Sequence, residues 1–249
     1  MTTAQLAGST AVVTGASRGF GKAIAAALVQ AGAQVTGVAR DGARLDGVRA
    51  ELGAGFTPVA ADAADPVTAG ALLSQYRPQT LVLAAGAAPL SRPVHEQTWQ
   101  SFSRVWEVDV QQVFNWTREA LLRPLAPGST VVTLSSGAAL FGSPLSGGYA
   151  GAKAAIRWLT AYAADESRRA GLGIRFVSVL PQLTPETALG AVFAAAYAAR
   201  EGAGAGARGG PGGVLTPEQV GRAVTGLVTG PEPDQDAYLV TAAGPRPLP

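Results

Sequence analysis

A short strand, a glycine-rich turn and a helix at the start of this chain constrain its fold more than any other sequence feature. Residues 9–14 form an apolar, β-branched run; Gly15, Gly19 and Gly21 follow, and an alanine-rich helical stretch continues to residue 31. Glycines at such a turn let the backbone approach a pyrophosphate, to which the helix N-terminus offers free N–H groups and the positive end of its dipole. The order predicts a nucleotide-binding unit; the alternative is a plain tight turn.

Strand and helix patterns alternate along the rest of the chain. Apolar runs predict further strands at residues 34–38, 56–60, 80–84, 130–134, 173–180 and 237–241. Helical spacing predicts helices at residues 41–52, 67–76, 98–122, 149–170 and 217–229. This alternation predicts an α/β fold with a parallel sheet covered on both faces. The glycine-rich residues 201–213 interrupt the pattern and are predicted to form a mobile loop.

Composition excludes several classes of function. The 249 residues include no cysteine and one histidine, His95, which excludes disulfides, thiolate catalysis and Cys- or His-rich metal sites. The net charge is +2 and the basic residues are scattered, so no nucleic-acid partner is expected. Because the chain has no apolar run of membrane length and no signal-peptide pattern, we expect a soluble cytoplasmic protein without a membrane span.

Several landmarks follow one another in an order that resembles the short-chain dehydrogenase/reductase family. They are Thr14-Gly15-x-x-x-Gly19-x-Gly21, Asp62 after the third strand, Ala85-Gly86 after the fourth, Ser136 after the fifth, Tyr149-x-x-x-Lys153, and Pro181 after the sixth. The resemblance extends from about residue 9 to residue 185. It implies a single Rossmann-type doubly wound domain over residues 1–249, with about seven parallel strands and helices on both faces.

The resemblance also implies a nicotinamide dinucleotide cofactor. Asp62 and Ala63 would bind its adenine, although Asp62 could instead be an acid that caps a loop. The cofactor-binding residues that the resemblance assigns are Gly15, Ser17, Arg18, Gly19, Phe20, Gly21, Arg40, Asp62, Ala63, Ala85, Gly86, Tyr149, Lys153, Pro181 and Thr184.

The end of the second strand bears on which dinucleotide is bound. Val38-Ala39-Arg40 carries no acid where a carboxylate would bind the ribose hydroxyls of NAD. Arg40 and Arg18 can both bind a phosphate, and basic residues at these places resemble those of NADPH-preferring family members. We therefore predict NADP(H) as the cofactor; the alternative is two solvated arginines. The neighbouring Asp41 is expected to point away from the ribose.

The catalytic candidates centre on Tyr149 and Lys153, which lie four residues apart and would project from one face of a helix. A nearby ammonium stabilises a phenolate, so a tyrosine beside a lysine can exchange a proton near neutral pH. The resemblance implies that Tyr149 donates a proton and that Lys153 also binds the nicotinamide ribose. It assigns Ser136, which lies 13 residues before Tyr149, to hydrogen bonding of the substrate carbonyl.

Asp109 departs from the family pattern, which has an asparagine in the middle of the helix before the fifth strand. Aspartate has nearly the same shape but adds a charge and loses the amide donors. We retain Asp109 as the fourth catalytic candidate. It could accept a hydrogen bond from a relay water, pair with Lys153 through that water, or make Tyr149 a weaker acid.

Two further departures affect the ends of strands. Leu83 and Ala84 replace the family asparagines before Ala85, so we expect a sheet-stabilising side-chain contact to be missing. Gln182 follows Pro181 where the family has glycine, which places a side chain where the nicotinamide would pass. Thr184 or Thr187 could bind the carboxamide.

The substrate pocket is expected at the carboxyl ends of the strands, bounded by residues 87–95, 136–148 and 183–213. We predict a small apolar or aromatic carbonyl substrate; the alternative for the apolar side chains is ordinary packing. Residues 187–213 are predicted to form a substrate lid. The candidate lining residues are Leu90, Leu140, Phe141, Leu145, Leu189 and Phe193.

Four aromatic residues on the two longest predicted helices, Trp106, Trp116, Trp158 and Tyr162, are expected to be core residues. The resemblance implies that these two helices form a dimer bundle. We therefore expect a homodimer or a homotetramer.

Together these features predict an NADPH-dependent, ketoreductase-like oxidoreductase that transfers a hydride to a ketone, with Tyr149 as proton donor. One alternative keeps the fold but catalyses non-redox chemistry as a dehydratase, cyclase or epimerase, which Asp109 and Gln182 would motivate. Another is a nucleotide-binding regulatory or structural protein without turnover. The combination of Ser136, Tyr149 and Lys153 argues against the latter, because binding alone does not need the tyrosine.

Overall fold

A single eight-stranded sheet organises the chain. It is seen in a computed structural model that describes residues 5–201, 213–231 and 235–249. The strand order is β3-β2-β1-β4-β5-β6-β7-β8; β1 to β7 run parallel and β8 pairs antiparallel with β7. The strands are β1 Thr10–Thr14, β2 Gln34–Ala39, β3 Phe56–Ala60, β4 Thr80–Leu83, β5 Thr130–Leu134, β6 Arg175–Pro181, β7 Ala237–Thr241 and β8 Gly244–Pro247.

Helices cover both faces of this sheet, which confirms the predicted Rossmann-type α/β fold. The helices are α1 Gly19–Gln30, α2 Gly42–Leu52, α3 Pro66–Tyr76, α4 Trp99–Ser103, α5 Gln111–Leu122, α6 Ala138–Phe141, α7 Gly147–Arg169, α8 Ala188–Glu201 and α9 Pro217–Thr229. Two 3-10 turns (Gly53–Gly55 and Val94–Glu96) and a π-helical turn (Trp106–Val110) complete the described elements. None of the helices in these ranges is long and apolar enough to cross a membrane.

The core lies in two layers, one on each face of the sheet. Successive residues of β1 point to opposite faces: Val13 joins the layer under α1 and α9, and Val12 joins the layer under α3, α5 and α7. Both faces of the strand are therefore apolar, as expected for a parallel sheet buried on both sides. Trp116 is fully buried in the second layer, as predicted.

Three of the four aromatic residues expected in the core, Trp106, Trp158 and Tyr162, are instead exposed. Trp158 and Tyr162 of α7 are 55% and 61% exposed, and their rings stack on each other with centroids 6.2 Å apart. Trp106 is 38% exposed. The apolar side chains on several sides of this helix predicted that Trp158 and Tyr162 would be buried. The sheet covers only one side of α7, and these two residues lie on another.

The structure divides one predicted helix and contains two elements that were not predicted. The helix expected over residues 98–122 is divided into α4, the π-helical turn and α5. The short helix α6 and the strand β8 were not predicted. The segment that forms β8 has the sequence Gly-Pro-Arg-Pro, and prolines are accommodated there because β8 is an edge strand. The glycine-rich part of the predicted lid, residues 202–212, lies outside the described residues.

Candidate active site

A cavity of about 970 Å³ opens at the carboxyl ends of the parallel strands, where the strand order reverses between β1 and β4. Every residue predicted to bind the cofactor or to take part in catalysis lines this cavity. Ligands of open α/β sheets bind at this kind of position. The structure thus brings together residues that lie more than 160 positions apart along the chain, from Gly15 to Thr184.

The glycine turn forms one wall of the cavity. Gly15 has φ of +69°, and a Cβ atom at this position would lie 2.7 Å from the backbone of Ala85, so only glycine fits. Helix α1 begins at Gly19, and its N-cap residue, Arg18, makes no capping hydrogen bond through its side chain. The first turn of α1 therefore presents uncapped N–H groups at the cavity, which fits the oxygens of a pyrophosphate.

The segment after β4 is held by side chains other than the family asparagines. The Thr14 hydroxyl accepts hydrogen bonds from the Ala84 and Ala85 N–H groups at 2.9 and 3.2 Å. The same hydroxyl donates to Gln112 Oε1 at 2.8 Å, and Gln112 Nε2 donates to the Ala85 carbonyl at 2.6 Å. Thr14 and Gln112 thus hold this segment through hydrogen bonds that need no asparagine at positions 83 and 84.

Three arginines line the cavity beyond the end of β2. Arg18 and Arg40 were predicted to lie there, and Arg44 in the first turn of α2 joins them. Asp41 caps α2, accepting from the Arg44 N–H at 3.1 Å, and it forms an ion pair with Arg44 Nε at 3.0 Å. The Asp41 carboxylate thus binds the backbone and the side chain of Arg44. The spacing of Arg44, four residues after Arg40 at the start of a helix, was the sequence signal for this third cation.

The loop after β3 is positioned by helix α5. Asp62 Oδ1 accepts from the Ala64 N–H at 2.9 Å, so Asp62 does cap its own loop. Trp116 Nε1 donates to the Ala63 carbonyl at 2.9 Å, and Asn115 Nδ2 donates to the Ala64 carbonyl at 2.8 Å. Polar groups on the buried side of α5 fix this loop at the edge of the cavity. Trp116 was predicted only as a core residue and Asn115 was not singled out, because their hydrogen-bond partners lie more than 50 positions away and no local pattern marks them.

Tyr149 and Lys153 project from one face of α7 into the cavity. The Lys153 Nζ atom lies 5.5 Å from the centroid of the Tyr149 ring. Ser136 lies at the end of β5, and its Oγ accepts from the Ala138 N–H at 3.2 Å, which leaves its hydroxyl hydrogen free to donate elsewhere. The neighbouring Ser135 is turned toward the protein and donates to the Lys153 carbonyl at 2.7 Å.

Asp109 forms a direct, buried ion pair with Lys153. Its Oδ2 atom lies 3.0 Å from Lys153 Nζ, and its Oδ1 accepts from the Ala87 N–H at 2.8 Å. Both residues are buried, with 1% of Asp109 and 7% of Lys153 exposed. A Cβ atom at Gly86 would lie 2.9 Å from Asp109 Oδ2, so the glycine at this position leaves room for the carboxylate. The π-helical turn carries Asp109 to this place.

The environment of Lys153 acts on its pKa in opposite directions. Burial removes water from the ammonium and lowers its pKa, while the charges of Asp109 and Tyr149 and the hydrogen bond to Asp109 raise it. The balance raises the pKa of Lys153 above its ordinary value. Lys153 Nζ also donates to the Leu134 carbonyl at 2.9 Å, so two of its three N–H groups have protein partners.

The far side of the cavity is formed by the end of β6 and the start of α8. Pro181, Gln182 and Thr184 all line it. The Thr184 hydroxyl donates to the Gln182 carbonyl at 3.2 Å, and the Thr187 hydroxyl accepts from the Gly190 N–H at 3.0 Å at the start of α8. Both hydroxyls therefore have partners within the protein, both residues line the cavity, and Thr184 is buried.

Half of the predicted substrate-lining residues border the cavity. Phe141, Leu189 and Phe193 do so, and the Phe193 ring lies 5.4 Å from the Tyr149 ring between centroids. The prediction was wrong for the other three. Leu140 packs instead against the core cluster of β6 and β7, Leu145 is buried, and Leu90 is 41% exposed.

Comparisons with known proteins agree with this geometry. The family model for short chain dehydrogenase matches residues 9–197. Relatives include a short chain dehydrogenase from Pseudocercospora fijiensis (36% identical, 61% of this chain, 52% of that protein) and cis-4-hydroxycyclohexanecarboxylate dehydrogenase from Sinomonas cyclohexanicum (34% identical, 93% of this chain, 92% of that protein). The chain thus spans about half the length of the first of these relatives and nearly all of the second.

Solved structures show the same similarity. The crystal structure of 3-ketoacyl-(acyl-carrier-protein) reductase from Brucella melitensis, complexed with NADH, is 26% identical with a TM-score of 0.74, and the match covers 90% of this chain and 91% of that one. From the family match and this fold, the chain belongs to the short-chain dehydrogenase/reductase family, whose members bind a nicotinamide cofactor.

Removing the Asp109 carboxylate should destabilise the fold. In Asp109→Ala the Lys153 ammonium stays buried without its partner and the Ala87 N–H loses its acceptor, so we expect a loss of about 3–5 kcal/mol in the free energy of unfolding. Asp109→Asn keeps one acceptor oxygen, and we expect a smaller loss. Urea unfolding at neutral pH measures both, with the exposed Asp46→Ala as control. A loss for Asp109→Ala no larger than for Asp46→Ala would contradict the ion pair's structural role.

Proposed function

We propose that this protein is an NADPH-dependent oxidoreductase that reduces a ketone to an alcohol, with Tyr149 as proton donor. The observation that carries the proposal is the placement of the Tyr149 phenol beside the Lys153 ammonium, in the same cavity as the uncapped N-terminus of α1. Nucleotide binding alone would not require a tyrosine supported by a buried cation. The similarity to a ketoacyl reductase supports the same reaction class.

The residues present fit a nicotinamide dinucleotide along the whole cavity. The first turn of α1 would hold the pyrophosphate, Asp62 and Ala63 would contact the adenine, and Ala85 and Gly86 would border the central part. At the other end, Thr184 beside Pro181 would receive the carboxamide of the nicotinamide.

When bound, the reduced nicotinamide supplies a hydride to the carbonyl carbon of the substrate. Ser136 has an available hydroxyl hydrogen and would orient the carbonyl by donating to its oxygen. Tyr149 would give its phenolic proton to the same oxygen, which completes the alcohol. The Lys153 ammonium lies 5.5 Å from the centroid of the Tyr149 ring, close to the phenol that gives up the proton.

The Lys153 ammonium could contact both Tyr149 and the ribose of the cofactor, because only part of its hydrogen-bonding capacity is used within the protein. Asp109 and the Leu134 carbonyl take two of its N–H groups, and the third is left for a ribose hydroxyl. Asp109 would then be a positioning residue: it keeps Lys153 charged in a buried place and fixes the direction of its remaining donor. Because this positioning role accounts for the aspartate at position 109, Asp109 no longer favours the alternative of a non-redox reaction.

The preference for NADPH is proposed from the three arginines at the end of β2. Arg18, Arg40 and Arg44 line the same cavity, and guanidinium groups bind phosphate with high geometric specificity; Arg44 also pairs with Asp41. Asp41, the nearest carboxylate in sequence, is engaged as the cap of α2. The Brucella melitensis reductase was solved with NADH, so similarity alone does not select the cofactor.

A homo-oligomer is also proposed. Phe114 on α5 and Trp158 and Tyr162 on α7 are exposed, and large apolar side chains of this kind mark protein–protein interfaces. These are the two helices that the family resemblance assigns to a dimer bundle.

Replacing Tyr149 tests the reaction directly. We expect Tyr149→Phe to lose about 10²- to 10⁴-fold in kcat for NADPH-dependent reduction of a panel of ketones, because a general acid is removed. Fluorescence titration should show that NADPH still binds. Tyr76→Phe removes the same hydroxyl at the end of α3 and serves as control. Turnover by Tyr149→Phe within a few fold of the unmodified enzyme would contradict the assigned proton donor.

Replacing Arg40 tests the cofactor preference. We expect Arg40→Asp to raise the Kd for NADPH by at least about tenfold and to change the Kd for NADH little, since only NADPH carries the additional phosphate. Arg169→Asp makes the same charge change at the C-terminal end of α7, at the opposite edge of the sheet. Equal losses for both dinucleotides in Arg40→Asp, or no loss for either, would contradict the preference.

A further inference from the structure

Three hydroxyl groups meet on the cavity wall near Tyr149. The Ser143 Oγ lies 2.6 Å from the Tyr197 hydroxyl and 2.5 Å from the Ser146 Oγ, and all three residues line the cavity. We call Ser143, Ser146 and Tyr197 the hydroxyl cluster. It joins the loop before α7 to helix α8, and nothing in the reaction described above uses it.

Ser146 shows that the cluster is not ordinary helix capping. It occupies the N-cap position of α7, where serine is favoured because its side chain accepts from the first turn. Here its side chain makes no capping hydrogen bond and is directed to Ser143 instead. The residue is 2% exposed, so a buried hydroxyl forgoes its usual local partner and contributes to the cavity wall.

Helix geometry places the cluster about one turn from the catalytic tyrosine. Ser146 precedes Tyr149 by three residues, and residues at this spacing have Cβ atoms about 5–6 Å apart. On the facing helix, Tyr197 follows Phe193 by four residues, and the Phe193 ring packs against the Tyr149 ring. Tyr149 on α7 and Phe193 on α8 thus form one pair of facing residues, and Ser146 and Tyr197 lie three and four residues from them along the chain.

The cluster has hydrogen-bonding capacity to spare. Three hydroxyls provide three hydrogens and six lone pairs, and the two contacts among them use two of each. One donor and four acceptor sites remain, which suits a neutral hydroxyl that both donates and accepts. The three hydroxyls are neutral and none of the three residues is a cation, so the cluster itself supplies no charge that would favour an anionic group.

We propose that the hydroxyl cluster is a substrate subsite that binds a hydroxyl group of a hydroxylated ketone, in the same cavity as Tyr149. The proposal rests on the proposed ketone reduction and names the substrate class for it. It adds a hydroxyl group to the predicted small apolar or aromatic carbonyl substrate: Phe193 and Leu189 supply apolar lining, and the cluster supplies a polar contact in the same cavity.

A matched pair of ketones tests the subsite. meta-Hydroxyacetophenone carries a hydroxyl group on the ring that bears its ketone, and meta-methylacetophenone replaces that hydroxyl by a methyl group of similar size. We expect kcat/KM for the hydroxyl ketone to exceed that for the methyl ketone by about tenfold or more in the unmodified enzyme. Tyr197→Phe and Ser143→Ala should each reduce this ratio several-fold, and the control Tyr76→Phe should not.

The ratio separates a subsite from a purely structural contact. If the cluster only holds α8 in place, Tyr197→Phe will lower kcat/KM for both ketones equally and leave the ratio unchanged, which would overturn the proposal. A ratio near one in the unmodified enzyme would overturn it as well.

A binding measurement keeps the subsite distinct from the reaction. Calorimetric titration of NADPH-loaded Tyr149→Phe with each ketone should show the same preference for the hydroxyl ketone, and its loss when Tyr197→Phe is added. If the unmodified enzyme reduces neither ketone but this preference is found, ketone reduction is contradicted and the subsite is supported. Equal affinities for the two ketones would contradict the subsite whatever the turnover.

Discussion

The ammonium of Lys153 is buried, and the carboxylate of Asp109 at 3.0 Å keeps it charged there. An isolated charge in such a place would be neutralised or would destabilise the fold, so the pair fixes the arrangement around it. The pair connects α7 to the π-helical turn. Asp109 also accepts from the Ala87 N–H after β4, and Lys153 donates to the Leu134 carbonyl at the end of β5. The position of Tyr149, one turn earlier on α7, follows from this anchoring.

The sheet supplies the remaining geometry. Parallel strands bring their carboxyl ends to one edge, so the glycine turn after β1, the serine after β5 and the proline that ends β6 line the same cavity. Helix α5 makes a second contribution, because its buried polar side chains hold the loops after β3 and β4. The residues that we propose to bind the cofactor therefore follow the ends of strands, and those that we propose to border the substrate lie on α8 and in the loop before α7.

The predictable features of this protein are those encoded within one segment. Hydrophobic periodicity marked each parallel strand, and motif residues such as Tyr149 and Ser136 follow strands or share a helix face, so their convergence could be predicted. The division of the helix at residues 106–110 could not, since no local pattern marks it and Asp109 within it pairs with a lysine more than 40 positions away. The roles of Gln112 and Tyr197 likewise arise only from contacts between distant segments.

The charge state of Lys153 is the most direct test of this account. The chain contains two lysines, Lys22 and Lys153, so selective ¹³C labelling of lysine gives two side-chain signals that a Lys22→Arg variant assigns. In a pH titration followed by NMR, the account predicts that Lys153 loses its proton above pH 10.5, the ordinary value for lysine, and that Asp109→Asn lowers this midpoint. A midpoint at or below 10.5 that Asp109→Asn leaves unchanged would contradict it.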